Sequence, residues 1–551
     1  MCFCVECGKP LREGAKFCAH CGKPAVLGAA SERPFAFSTA SSRPPSAILT
    51  VNPTVRAEIA STLFVVGHGL MNDFQAMLQK HRLSPLGLAS GPDVDVLRQR
   101  TRSECARHGS RLKQLCIIGN WEAVPPYEIV HDFDGESSFS DAPYAGTPVE
   151  SDHDPLAYIP QVMVSRIPTS NMAVAERVLL QPLPSRTASE AFYLSVTAEK
   201  WRKASEAILQ ATVLQGQSVG TSHGDDDAHP HQPFMMLSPD WDEDSLSQWM
   251  SDHPLTPGSL LHFNVHGGPD TPQWVGEGQW GGYQSIFSPA TVSDFASAIL
   301  FTEACFGGAM GYDEPSVVEN FFEQGGHAFV GCSVPAYGDP GVKIFDVPTF
   351  AADTLALAFF KRLQEGMRLG AAFLAAKMAV LADDPPMCQA YSVKTVCSFN
   401  LYGAPWHALP KEARASIVPR PIPSTGSALE RIRSRMNVMP DSTDEDDDIS
   451  LLQRIRETYR ARIRVPLSQR ALPHESSIDM MQGWMRDPEI SGFLQQMQVQ
   501  PSDLHLHRIE YSDQSGYLLR GKPSQDPRKT WVLVLNEQGH LQQVIATKSG
   551  A

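Results

Sequence analysis

Leu260-Leu261-His262-Phe263-Asn264-Val265-His266-Gly267-Gly268, taken with Ile299-Leu300-Phe301-Thr302-Glu303-Ala304-Cys305-Phe306-Gly307-Gly308, decides the fold. Each stretch is an apolar run of strand length that ends in a reactive side chain followed by glycine. Two buried strands ending in this way put an imidazole and a thiol on neighbouring loops at one edge of a sheet, and ligands of open α/β sheets bind outside the carboxyl ends of the strands. Glycine lets the backbone turn sharply and come close to a substrate. A thiol needs a base to become a nucleophile at neutral pH, and histidine titrates there. His266 and Cys305 are therefore the candidate catalytic pair. Either residue alone reads more readily as core, since a buried cysteine is usually inert packing. The repeated placement at strand ends favours chemistry.

The flanking sequence alternates apolar strands with helical patterns. Leu63 to Gly67, Leu115 to Gly119, Val162 to Val164, Phe192 to Val196 and Ala328 to Gly331 read as strands. Helices are predicted over 72–80, 94–107, 201–214, 316–324, 347–364 and 367–381. Continuous apolar runs separated by helices imply a mainly parallel sheet with helices on both faces. The expected organisation is a short cysteine-rich module over 1–25, a flexible Ala/Ser/Pro-rich linker over 26–55, a catalytic α/β domain over 56–410, a linker with an acidic run over 411–448, and an accessory α+β domain over 449–551. In the last, Trp531 to Leu535 and His540 to Ala546 read as a hairpin.

With 42% hydrophobic and 19% charged residues the composition is that of an ordinary globular protein. A net charge of -15 argues against general nucleic-acid binding, which needs a basic face. No apolar run approaches membrane-spanning length. Met1 to Cys7 has no secretory pattern, so a cytoplasmic setting is expected, and the eleven cysteines read as reduced thiols and metal ligands rather than disulfides. Cys4-x-x-Cys7 and Cys18-x-x-Cys21, ten residues apart and each continuing Gly-Lys-Pro, have the spacing of a closed tetrahedral Zn2+ site. The repeat resembles the small zinc ribbons at the N-termini of many bacterial proteins. With all four positions filled by protein, the metal is expected to be structural. The His223–His231 segment reads as an exposed loop.

An ordered set of motifs carries a further resemblance. Leu115-Cys116-Ile117-Ile118-Gly119-Asn120, Val124-Pro125-Pro126, Ser140-Asp141-Ala142-Pro143-Tyr144-Ala145 and Val162-Met163-Val164-Ser165-Arg166-Ile167-Pro168 come first. Val265-His266-Gly267, Glu303-Ala304-Cys305-Phe306-Gly307-Gly308, Gly325-Gly326-His327-Ala328 and Leu401-Tyr402-Gly403-Ala404-Pro405 follow. Over about residues 56 to 410 the chain resembles gingipain-type, caspase-like cysteine peptidases. It departs from their pattern at Ser165 and at Leu401 to Pro405, away from the Cys/His pair.

The resemblance implies that Cys305 attacks the scissile carbonyl, that His266 protonates the leaving amine, and that the N–H groups of Gly267 and Cys305 form an oxyanion hole. It also implies a first specificity pocket floored by Asp152 or Asp154, taking an arginine or lysine of the substrate; a solvated acidic loop is the alternative. Trp274 is either a wall of the cleft or a packed core residue. Glu303 shares a strand face with Cys305, in a backbone-fixing role or a structural salt bridge. Asp141 is one of several candidates for the carboxylate that orients His266. The expected partners are a protein or peptide substrate and a regulatory protein, a defence or cell-death pathway being one setting; if the first pocket is acidic, the Arg-rich Glu430 to Arg435 stretch is a candidate self-cleavage site. The rival expectation is a catalytically idle caspase-like adaptor.

Overall fold

Leu260–Asn264 and Ile299–Thr302 are strands at the centre of an eleven-stranded sheet. The computed structural model describes residues 2–3, 10–11, 51–131, 136–145, 159–183, 193–212, 220–222, 234–277, 283–311, 315–339, 349–384, 388–410, 453–455, 457, 468–471, 480–496, 499–500, 503–510, 515–521 and 530–548. From one edge the strands run Gly220–Ser222, Phe234–Ser238, Tyr193–Ala198, Leu260–Asn264, Ile299–Thr302, Ala328–Cys332, Phe399–Gly403, Met163–Ile167, Gln114–Ile118, Thr62–Val66 and Gly87–Ala89. Every neighbouring pair is parallel except Ala328–Cys332 with Phe399–Gly403. The expected mainly parallel α/β architecture is what the chain adopts.

Side chains alternate between two cores, as the two-residue period of a strand requires. Leu261, Phe263 and Leu300 enter one cluster, with Phe74, Val178 and Phe321 from helices on that face. Leu260, Ile299 and Phe301 enter the other, against the helices Ala352–Gln364 and Leu369–Asp383. Both faces are covered, which is why these strands are apolar throughout rather than alternating.

The C-terminal part adds an antiparallel six-stranded sheet in the order Tyr337–Gly338, Leu541–Thr547, Trp531–Asn536, Ser515–Gly521, Leu504–Glu510 and Ser468–Ala471. The expected hairpin is its pair Trp531–Asn536 and Leu541–Thr547. Its first member comes from the middle of the chain: Tyr337 pairs with Thr547, and Gly338 with Ala546. One face of this sheet packs with Trp201, Phe493 and Trp531, the other with Tyr337, Phe350 and Tyr391. Residues 50–551 form one compact unit and residues 1–49 another. In the latter, Cys2–Phe3 pairs antiparallel with Pro10–Leu11, bracketing the first Cys-x-x-Cys. Among the described residues, no helix is long and apolar enough to cross a membrane.

Candidate active site

Parallel pairing fixes the register that builds the site. Leu260 lies opposite Ile299, and Phe263 opposite Thr302. The residues just beyond, His266-Gly267 and Glu303-Ala304-Cys305, therefore leave the same edge of the sheet side by side. The Glu303 N–H donates to the carbonyl of Phe263 at 2.8 Å, carrying the pairing to the rim.

Gly267 runs so close to the cysteine turn that a Cβ there would lie 2.1 Å from the carbonyl oxygen of Cys305. Only glycine fits this approach. Just beyond Cys305, Phe306 has a φ of 58°, a left-handed conformation that costs a bulky L-residue about 1–3 kcal/mol. Hydrogen bonds from Phe306 N to the Val334 carbonyl and from Gly308 N to the Cys332 carbonyl hold it in place. The Cys305 Sγ accepts from the Ala336 N–H at 3.1 Å.

His266 begins a small antiparallel sheet of His266–Gly267, Trp274–Glu277 and Tyr283–Phe287. That sheet carries Glu277 back to the imidazole, with Oε1 at 3.1 Å from Nε2. The ring also lies edge-on to Trp201 and Tyr283, at centroid separations of 6.0 and 5.4 Å. His266 and Cys305 are both fully buried.

The covering element is the chain's own C-terminal strand. After Thr547, the Lys548 N–H donates to the Ala336 carbonyl at 2.9 Å, and its carbonyl accepts from the Gly267 N–H at 3.2 Å. Its side chain enters a closed chamber, where the ammonium donates to Asn264 Oδ1 and Asp353 Oδ1 at 2.7 Å each and to Glu303 Oε2. Trp201 lies 4.7 Å from the ammonium, ring centroid to Nζ.

Each acidic wall is itself held. Asp353 Oδ2 accepts from the Asp339 N–H at 2.8 Å. His262 Nε2 is 2.8 Å from the other oxygen of Glu303, and its Nδ1 is 2.9 Å from Ser195 Oγ. Burial, reinforced by the nearby ammonium, holds His262 down to about 3, so this is a hydrogen bond from a neutral ring to a carboxylate rather than an ion pair. Burial raises Asp353 to about 7, against the lowering pull of Lys548. Burial alone would lower Lys548; the carboxylates of Asp353 and Glu303 outweigh it, and the net direction is up.

The sequence-predicted residues divide accordingly. Gly267 and Cys305 come together, with His266 joined to Gly267. Glu303 lies in the acidic chamber. Trp274 packs inside the core, stacked on Phe287 and against Phe263, and is 2% exposed; Trp201 is the indole beside the ammonium. Asp141 is engaged by Arg166, Oδ2 to Nε at 2.8 Å, while Glu277 is the carboxylate beside His266. Asp152, Asp154, the Glu430–Arg435 stretch and the four cysteines of the ribbon lie outside the described residues. Glu277, Asp353, Asn264 and Lys548 carried no sequence signal of a role.

Two paired Cys-x-x-Cys motifs supply four soft thiolates, the donor set of a closed zinc site. Among the described residues, no other cluster has a metal-binding donor set.

A zinc-ribbon domain model matches residues 3–25. No curated protein sequence matches the chain. Among solved structures, the Arg-specific cysteine proteinase gingipain R is 10% identical, over 64% of this chain and 78% of its own, with a TM-score of 0.44. The complex of RgpB pro- and mature domains from Porphyromonas gingivalis is 9% identical, over 88% and 99%, with a TM-score of 0.43. A structure described as a protease is 14% identical, over 66% and 82%, with a TM-score of 0.43. The chemistry proposed below rests on this chain's own residues.

Proposed function

We propose that the chain is a cysteine endopeptidase that cuts after a basic residue, lysine or arginine, with Cys305 as nucleophile and His266 as acid and base. One observation carries this reading: a peptide strand lies across the paired strand ends, with its carbonyl on the Gly267 N–H, as a substrate would lie. The Cys305 thiolate adds to the scissile carbonyl, and the charge developing on oxygen is met by the N–H groups of Gly267 and Cys305. The imidazolium of His266 gives its proton to the departing amine, leaving a thioester on Cys305. His266 then takes a proton from water as the thioester is hydrolysed. Glu277, 3.1 Å from Nε2, holds the plane of the imidazole.

Cys4, Cys7, Cys18 and Cys21 would hold a structural Zn2+, which stabilises a segment too short to fold on its own core. A protein partner that gates the enzyme completes the proposal.

Full burial of Cys305 and His266 is the one feature that favours an idle adaptor. The covering strand accounts for that burial without making the pair idle. The test is cleavage of a peptide library by the wild-type chain, alone and with cell lysate, beside Cys305→Ala. Fragments ending in lysine or arginine that vanish with Cys305→Ala support the peptidase. No Cys305-dependent cleavage under either condition supports the adaptor.

A further inference from the structure

We propose that Asn264, Glu303 and Asp353 form the pocket that selects a lysine side chain in the substrate, and that the chain's own Lys548 fills it, so that the strand Leu541–Thr547 occupies the substrate groove and keeps the enzyme closed. The proposal rests on the reading of Cys305 and His266 as a peptidase pair.

The chamber matches an ammonium. An ammonium has three N–H donors and no acceptor, and three acceptors from three different elements converge on Nζ. Arginine would present a planar fork of five donors, which needs acceptors spread across a plane. The chamber is closed to bulk solvent: Lys548, Glu303, Asp353 and Asn264 are all fully buried. A charge buried in this way persists only when paired and hydrogen-bonded throughout. Asp353 and Glu303 each keep one oxygen for the surrounding fold, on the Asp339 N–H and on His262, and turn the other toward the ammonium, beside the candidate catalytic pair. The lysine stem passes close over Gly338, where an added Cβ would lie 2.3 Å from Lys548 Cε.

The main chain of the tail completes the mimicry. Extended peptides bind by adding a strand to an exposed edge, with main-chain bonds for affinity and a pocket for specificity. The two-residue strand Tyr337–Gly338, which continues the Ala336 segment, pairs with Leu541–Thr547 in this way, antiparallel. Lys548 follows in register, its N–H on the Ala336 carbonyl and its carbonyl on the Gly267 N–H. Ala336 also donates its N–H to Cys305 Sγ, so one short segment holds both the nucleophile and the tail. A tethered occupant competes at the high effective concentration of an intramolecular ligand. An outside substrate gains entry only once the strand is drawn out, which is the step a partner would drive.

The experiment compares the full-length wild type with Lys548→Met, using an Ile-Ala-Thr-Lys acyloxymethyl ketone that copies Ile545 to Lys548 and its norleucine analogue. The readout is the rate of adduct formation on Cys305 by mass spectrometry. The expected result is labelling of Lys548→Met at least about a hundredfold faster than wild type, with the lysyl probe far ahead of the norleucyl one. Equal rates for wild type and variant would overturn self-occupancy while leaving the peptidase intact. Equal rates for the two probes in the variant would overturn the pocket. No adduct in either chain, with the variant folded, would bring down both this proposal and the Cys/His reading. Should Lys548→Met lack a cooperative melt, Lys548→Gln, which also removes the ammonium but keeps a polar, shorter side chain, carries the same comparison.

Discussion

Gly267→Ala, made in the Lys548→Met chain, tests how closely the histidine loop must approach the cysteine turn. The added Cβ would lie 2.1 Å from the Cys305 carbonyl oxygen, 3.1 Å from its carbonyl carbon and 3.3 Å from the Ala304 Cβ. The nearest of these is about 1.3 Å short of ordinary contact, and it is main chain, so it cannot swing aside. The loop must retreat by about 1 Å, and a misplacement of that size costs on the order of 100-fold in rate. Since the displaced N–H is also the proposed oxyanion donor, the expected loss in kcat is about 10²–10³-fold. Overpacking of this kind costs about 1–3 kcal/mol of stability, so the variant still folds. Gly268→Ala is the internal control: nothing lies within 4 Å of the Cβ it would add, and its turnover should match the parent. The assay is steady-state cleavage of a lysyl peptide, with folding checked by thermal melt. Turnover of Gly267→Ala within threefold of the parent would refute the idea that this close approach serves catalysis.

Three further predictions use the same opened chain. Glu277→Gln should lower kcat by up to about 100-fold with little change in KM, as expected when a group that positions an acid–base residue loses its charge; an unchanged kcat would remove Glu277 from the mechanism. The kcat/KM for lysyl peptides should rise with pH through a step at or above about 7. Asp353 is already raised to about 7 with the ammonium beside it, loss of that ammonium moves it further up, and only its ionised form attracts the incoming lysine; substrate binding therefore releases a proton and strengthens as pH rises. Asp353→Asn should abolish that step, and a profile identical to the parent would contradict the assignment. The chain should carry one zinc ion by elemental analysis, lost in Cys18→Ser, and chelation should leave lysyl-peptide turnover unchanged; a parallel loss of turnover would show that the metal takes part in the reaction.

The parallel sheet was legible because its strands are short apolar runs bounded by glycine and spaced by helices of matching period. Val94–His108 and Leu369–Asp383 fall within two residues of their expected ranges. The orientation of Phe399–Gly403 was not legible, since an apolar strand buried on both faces reads alike in either direction. At the site, His266 and Cys305 stand out because each ends a local pattern. Glu277 reaches His266 only through the hairpin that pairs His266 with Val275. Lys548 is further still: a two-residue strand at Tyr337–Gly338 captures the end of the chain, and pairing over such a distance leaves no periodicity to read. Trp274 and Trp201 show the same limit, since both lie near strand ends and only tertiary packing decides which faces the chamber.

The measurement that bears most directly on the central claim is the pH dependence of Cys305 alkylation by iodoacetamide in Lys548→Met, with and without His266→Ala. An unassisted thiol reacts in step with its ordinary ionisation near pH 8.5. If the imidazole and the thiol act together, the chain that keeps His266 should react at least about tenfold faster at pH 6 than His266→Ala, and its profile should be displaced to lower pH. Superimposable profiles for the two chains would contradict the account, leaving Cys305 a core thiol beside an unrelated histidine.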